Sequence, residues 1–162
     1  GEETAYGAYF SWGNIVGHNE GEGYNFNSST YNGTAGASLT ANIASNDAAH
    51  DAALACLGSP WRLPTKENFQ ELYDNTDTEW TTINGVAGRK FMKKTDHSVY
   101  IFFPAAGYYN GTSLSSRGSY GGYWSSSYNN SSYAYGLGFN SSYVYPQGDS
   151  SRYYGFSVRA VQ

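Results

Sequence analysis

The chain is poor in several residue types at once. It has one cysteine, three histidines and four prolines in 162 residues. A lone thiol, Cys56, cannot close an internal disulfide and offers no cluster for a metal. It falls in an Ala-rich stretch, where a buried, inert thiol is the expected state. His18, His50 and His97 are scattered without the spacing of a metal-ligand pair, so no metal and no cofactor is expected. Charged residues make up 14% of the chain, below the usual quarter or so, and the net charge is -4. That balance argues against a nucleic-acid partner, which calls for a basic stripe. No apolar run approaches the roughly 18 residues of a membrane span, so no membrane insertion is expected. The chain opens abruptly at Gly1-Glu2-Glu3 with no signal peptide, as a processed or trimmed fragment would, so that absence excludes nothing.

What the chain does have is concentrated near its end. Of the 35 residues from Tyr120 to Tyr154, 26 are Tyr, Ser, Gly or Asn, and the only charges are Asp149 and Arg152. An antibody paratope has this composition. Tyr brings contact area with little entropy to lose, and Ser, Gly and Asn adapt their hydrogen bonds. A catalytic surface needs titratable groups at fixed positions, and this stretch has almost none. Exposed β-hairpins share some of the same composition, because aromatic residues favour strands.

The length fits one domain, residues 1–162, with an α+β content. A short strand is expected at Ala5–Trp12 and a loop at His18–Gly23. Asn46 or Asp47 can cap a helix over 47–57, stopped by Gly58. Pro64-Thr65 opens a second helix over 65–75, with Phe69, Leu72 and Tyr73 as its buried stripe. Strands are expected at Gly88–Met92 and Val99–Phe103, the latter central. In Tyr133–Asn140 the residues alternate, Tyr135, Leu137 and Phe139 on one face and Gly136, Gly138 and Asn140 on the other. Val144 follows, and Phe156, Val158 and Ala160 share a face of a last strand. A buried framework of Trp61, Tyr123, Trp124, Leu137, Phe139, Val144, Phe156 and Val158 is the expectation. Gly136 and Gly138 are poor choices for a strand interior, so local stability did not select them.

Trp61-Arg62-Leu63-Pro64-Thr65-Lys66-Glu67-Asn68-Phe69, with Gly122-Tyr123-Trp124-Ser125-Ser126-Ser127 and the terminal Gly155-Phe156-Ser157-Val158-Arg159, resembles the formylglycine-generating-enzyme branch of the C-type lectin-like fold. The resemblance spans residues 5–162. It implies two helices packed on a small twisted antiparallel sheet with long loops. That enzyme activity needs a cysteine pair near the C-terminal end, and the tail has none. Calcium-binding lectins carry a Glu-Pro-Asn loop and a Trp-Asn-Asp strand, whereas here Gln147 follows Pro146 and Ser125 follows Trp124.

Within that branch the tail is similar to the variable region of diversity-generating retroelement proteins. In those systems Asn codons are copied with errors at their first two bases, which never yields Lys, Glu, Gln, Met or Trp. The resemblance implies a scaffold at 1–105 and a variable portion at 106–162. The outward positions are Tyr120, Gly122, Tyr128, Asn129, Asn130, Ser132, Tyr133, Gly136, Gly138, Asn140, Tyr143, Tyr145, Gly148, Asp149, Ser150, Ser151, Tyr153 and Tyr154, with Tyr109 counted among the ligand contacts. All the outward positions are types reachable from an Asn codon, whereas Trp124 and Gln147 are not.

The expected function is therefore non-catalytic recognition of a protein or glycan ligand on a cell surface, from a cell-surface, extracellular or phage-virion location. Tyr128, Tyr133, Tyr143, Tyr145, Tyr153 and Tyr154 are the expected anchors of one contiguous exposed patch. An undiversified adhesive or structural surface domain on the same scaffold is the alternative. An enzyme would rest on Glu67, Glu71 and Asp74, which are read more simply as solvated helix charges.

Overall fold

The computed structural model describes residues 2–162. The protein is α+β, mostly antiparallel strands in three small sheets with few helices. Helices come first: α1 (Ser28–Tyr31), a 3-10 turn at Ala35–Ser38, α2 (Ala52–Leu57) and α3 (Lys66–Asn75). β1 (Thr76–Ile83), β2 (Val86–Lys93) and β3 (Asp96–Pro104) form one sheet, in that order. β4 (Tyr108–Asn110) and β5 (Ser113–Ser115) pair as a small ribbon. β6 (Tyr120–Tyr128), β7 (Tyr133–Asn140) and β8 (Val144–Ser151) form the third sheet, with β7 central. No helix among the described residues is long and apolar enough to cross a membrane.

α3 forms where the cap chemistry places it. The Thr65 hydroxyl accepts from the Asn68 N–H at 3.1 Å, and Asn68 Oδ1 accepts from the Thr65 N–H at 3.0 Å. Its stripe is narrower than expected: Phe69 is buried and Leu72 half-buried, but Tyr73 is exposed. α2 is shorter than expected. Asp47 is drawn into a turn with His50, and buried Asp51 is the cap instead. One Asp51 oxygen accepts from Leu54 N–H at 3.0 Å, and both accept from Leu63 N–H. The carboxylate thus ties α2 to the Trp-Arg-Leu-Pro segment, a long-range duty no local rule assigns. Cys56 lies exposed on α2 rather than buried. Arg62 donates to the Leu63 carbonyl and to Asn68 Oδ1.

β1 is a strand the periodicity did not announce, a Thr-rich run continuing straight from α3. It makes β2 the central strand and leaves β3 at the edge, with Val99 and Ile101 exposed. The expected last strand is instead a series of single bridges. Phe156 bridges Phe10, Ser157 bridges Tyr123, and Val161 bridges Arg62. Of the N-terminal strand only the bridges at Tyr9 and Phe10 form.

β6 and β7 are covered on both faces, whereas no residue of β8 is fully buried. Tyr123, Leu137 and Phe139 pack on Phe69, Phe91 and Phe103 below the sheet. Above, Trp124 stacks on Phe156 at 4.4 Å and joins Trp12, Ile43 and Leu63. The Trp124 indole donates to Phe10 O, and the Trp12 indole to Ser125 O. Trp61, Val144 and Val158 are half-buried rather than core, because they lie at the margins of these layers. Phe139 is wholly buried in the lower layer, so Phe139→Ala should cost about 3–5 kcal/mol in chemical denaturation. An unchanged midpoint would refute this assignment of faces.

Candidate functional site

Two open hollows adjoin along the tail sheet. The first, about 530 Å³, is lined by Tyr108, Ser116, Ser119, Tyr120, Asn140, Ser141, Tyr143, Ser150, Tyr154 and Phe156. The second, about 270 Å³, is lined by Ser28, Tyr31, Asn32, Ser131, Ser132, Tyr133, Ser151, Arg152 and Tyr153. Tyr154 belongs to the first and Tyr153 to the second, and their rings meet edge-on at 5.1 Å, so they mark the boundary. Tyr143 continues outward into Tyr145, ring to ring at 4.4 Å. The most exposed tyrosines of the tail are Tyr145 at 57%, Tyr133 at 43% and Tyr143 at 38%.

The expected site residues divide accordingly. Tyr120, Asn140, Tyr143, Ser150 and Tyr154 meet in the first hollow. Ser132, Tyr133, Ser151 and Tyr153 meet in the second. Asn129 bonds exposed Asp149 beside them at 2.9 Å, and Gly148 is half-buried within β8. Tyr128 leans on Trp12, and Tyr120, Tyr128 and Tyr154 all pack against the upper core, so these three are partly structural.

Four expected contacts are buried and are corrected. Tyr109 packs between Tyr9 and Phe26, away from the tail face. Gly122 lies beneath the Phe156 ring, where a Cβ would come within 3.0 Å of it. Gly138 lies under the Tyr120 hydroxyl, and a Cβ at Gly136 would stand 2.5 Å from the Tyr123 carbonyl oxygen. Packing therefore selects these glycines, which overturns the expectation that stability did not. The alternation was read correctly, but its second face is roofed rather than open.

Two buried arginines fix the rims. Arg152, 2% exposed, donates from Nε to the Tyr31 hydroxyl and from Nη1 to the carbonyls of Asn130 and Ser131. Its Nη2 reaches Gly36 O and Leu39 O. Arg89 donates to Asn140 O at 2.9 Å and Ser141 O at 3.3 Å, and to the Thr78 hydroxyl. Its Nε is buried without a partner, and burial lowers its pKa. Tail composition gave no hint of Arg89, which lies far away in sequence on β2. Tyr108, Ser116 and Ser119 were also missed, because the β4–β5 ribbon reaches the first hollow only through the fold.

The first hollow carries no charged side chain. Burial, with Tyr143 and Tyr108 close by, pushes the Tyr120 phenol up to about 12. Burial raises Tyr154 as well. Tyr31 is likewise raised to about 12 by burial, which outweighs the opposing pull of Arg152. Among the described residues no three His, Cys, Asp or Glu side chains gather as a metal site.

This is an α+β domain with an uncharged aromatic hollow on its last sheet. The chain belongs to the family described as a domain of unknown function (DUF8237), whose model matches residues 72–161, from α3 through the closing bridges. No curated protein and no solved structure matches the chain.

Three outcomes follow from this geometry. Gly136→Ala should destabilise by on the order of 1–3 kcal/mol, since backbone must move. Gly148→Ala should be nearly silent, because its Cβ meets nothing closer than 3.5 Å. Spectrophotometric alkaline titration should show Tyr31 and Tyr120 ionising only near pH 12. Their folded pKa values lie above the unfolded value of about 10, so their stabilisation is whole below that pH. It is lost as pH climbs through about 12. Stability that stays flat across that window would contradict the burial of both phenols.

Proposed function

We propose that this chain is a non-catalytic binding protein on a C-type lectin-like scaffold, of the diversity-generating retroelement variable kind. Its β6–β8 face recognises a protein or glycan ligand on a cell surface, and the protein acts at a cell surface, extracellularly or on a virion. One observation carries the reading. Tyr133, Tyr143 and Tyr145 stand exposed around two adjoining hollows whose linings hold no carboxylate, histidine or cysteine. Exposed aromatics at this density are an association hazard unless binding uses them. The scaffold is supported by the capped helix after Trp61–Thr65 and by the closing bridges from Phe156 to Phe10 and Val161 to Arg62.

The packing of Gly136 and Arg152 within the tail favours a second reading, an undiversified adhesive domain on the same scaffold. Sequencing the flanking DNA separates the two: a reverse transcriptase gene beside a near-copy of the tail supports the first.

The ligand-binding face is tested by replacing Tyr133, Tyr143 and Tyr145 together with Ser. The melting temperature should stay within a few degrees, since exposed positions usually shift stability by under about 0.5 kcal/mol each. Binding to a captured ligand should fall by about tenfold or more. Replacing Tyr120, Tyr128 and Tyr154 instead should lower the melting temperature, because those rings roof the upper core. An early-melting first variant, or undiminished binding, would overturn the reading.

A further inference from the structure

The tail displays one tetrapeptide twice, Asn130-Ser131-Ser132-Tyr133 and Asn140-Ser141-Ser142-Tyr143, at opposite ends of β7. The two copies fold alike. Asn130 Oδ1 accepts from the Ser132 and Tyr133 N–H groups at 2.8 and 2.9 Å. Asn140 Oδ1 accepts from Ser142 and Tyr143 at 2.8 and 3.0 Å. Each turn is closed by the Asn N–H on the Tyr carbonyl at 3.1 Å. Each has a buried arginine on its first two carbonyls, Arg152 for one and Arg89 for the other. Both asparagine Oδ1 atoms are therefore consumed in holding the turn, and the groups left to meet a ligand are the asparagine Nδ2 donor, serine hydroxyls and one exposed tyrosine at each end. Ser131, Ser132 and Tyr133 line the second hollow, and Ser141 and Tyr143 the first.

From this duplication we propose that the face holds two like subsites for a linear polymer of uncharged, hydroxyl-bearing rings, the chemistry of a neutral polysaccharide. The proposal rests on the binding-face reading above and narrows its ligand. Three observations point the same way. The first hollow has no charged lining, and in the second the Arg152 nitrogens are all engaged by protein acceptors, which leaves exposed Asp149, held by Asn129 beside the second hollow, as the charge nearest the face. Flat aromatic faces beside hydroxyls suit a ring with an apolar face and a polar edge. The eight residues of β7 separate the turns by roughly 25 Å at strand rise, a distance one sugar ring cannot span and a chain of rings can. Filling both ends at once makes the second contact intramolecular, so affinity grows with ligand length.

The test uses the whole chain on a biosensor, with soluble dextran, a neutral mannan and a neutral galactan as probes. Their disaccharides and an acidic polygalacturonate serve as comparisons. At least one neutral polymer should bind, about 100-fold more tightly than its disaccharide, with little change on adding salt. Tyr133→Ser and Tyr143→Ser should each remove most of that gain, to similar extents. The proposal falls if no neutral polymer binds, if only the acidic one does, if polymer and disaccharide bind alike, or if one end carries the whole effect. The polymer-to-disaccharide ratio is read on the unmodified protein, so it stands even where a variant folds poorly. A peptide display library screened in parallel separates this from the broader reading. Peptides captured by the parent and lost by the Tyr133, Tyr143 and Tyr145 to Ser variant, without neutral-polymer binding, sink the polysaccharide inference and leave the binding face standing. Capture of neither class sinks both.

Discussion

The buried Arg152 cation holds the tail to the N-terminal part of the molecule. Arg152 sits over the Trp12 ring at 4.7 Å, with Tyr31 and Tyr128 around it, and no carboxylate pairs with it among the described residues. Burying a guanidinium costs less the more of its nitrogens find acceptors, and in Arg152 all three do. The acceptors come from three separate stretches: the hydroxyl of Tyr31, the carbonyls of Gly36 and Leu39, and the carbonyls of Asn130 and Ser131. Charge-assisted bonds to neutral carbonyls are directional and strong, so the helical N-terminal part and the tail are locked in one register. Without that lock the β6–β7 turn would keep its own Asn130 bonds but lose its tie to the N-terminal part, and the second hollow would lose a lining side chain.

Arg89 serves the other end of β7 in the same way, from a different sheet. Both rims of the face are thereby set by buried arginine side chains. Between them β6 and β7 are packed on both sides, which explains the glycines. Gly122 makes room for Phe156, Gly138 for Tyr120, and Gly136 for the neighbouring backbone. A floor of this kind resists deformation because interiors are close-packed. The exposed tyrosines Tyr133, Tyr143 and Tyr145 lie at its margins.

Much of this was legible from local chemistry. The Thr65 cap, the end of α2 at Gly58, the limits of β7 and the burial of Trp124, Leu137, Phe139 and Phe156 all follow from short-range rules or from period-two alternation. The concentration of Tyr, Ser, Gly and Asn after residue 120 marked the stretch that supplies most of the lining of both hollows. The misses share a cause. Asp51 displaced the expected cap because it also serves Leu63, and β1 formed because β2 offered its edge to a Thr-rich run with no clear alternation. Cys56 lies exposed although its neighbours are small and apolar, because α2 buries Ala52 and Ala53 instead.

The sequence by itself determined which residues alternate along β7, where α3 begins, and that Asp149 and Arg152 are the only charges between Tyr120 and Tyr154. Those are properties of neighbours a few positions apart, set by propensity, capping and composition. Only the tertiary structure decided which side of that alternation is open. The face opposite Leu137 and Phe139 is roofed by Trp12 and Phe156, residues 112 and 19 positions distant from Trp124–Leu137 at their nearest. The same holds for the partners of Arg152, for Arg89 beneath the second turn, and for Tyr108 and Ser116 in the first hollow. Each is a contact between segments far apart in the chain, and its energy depends on the whole fold having closed first.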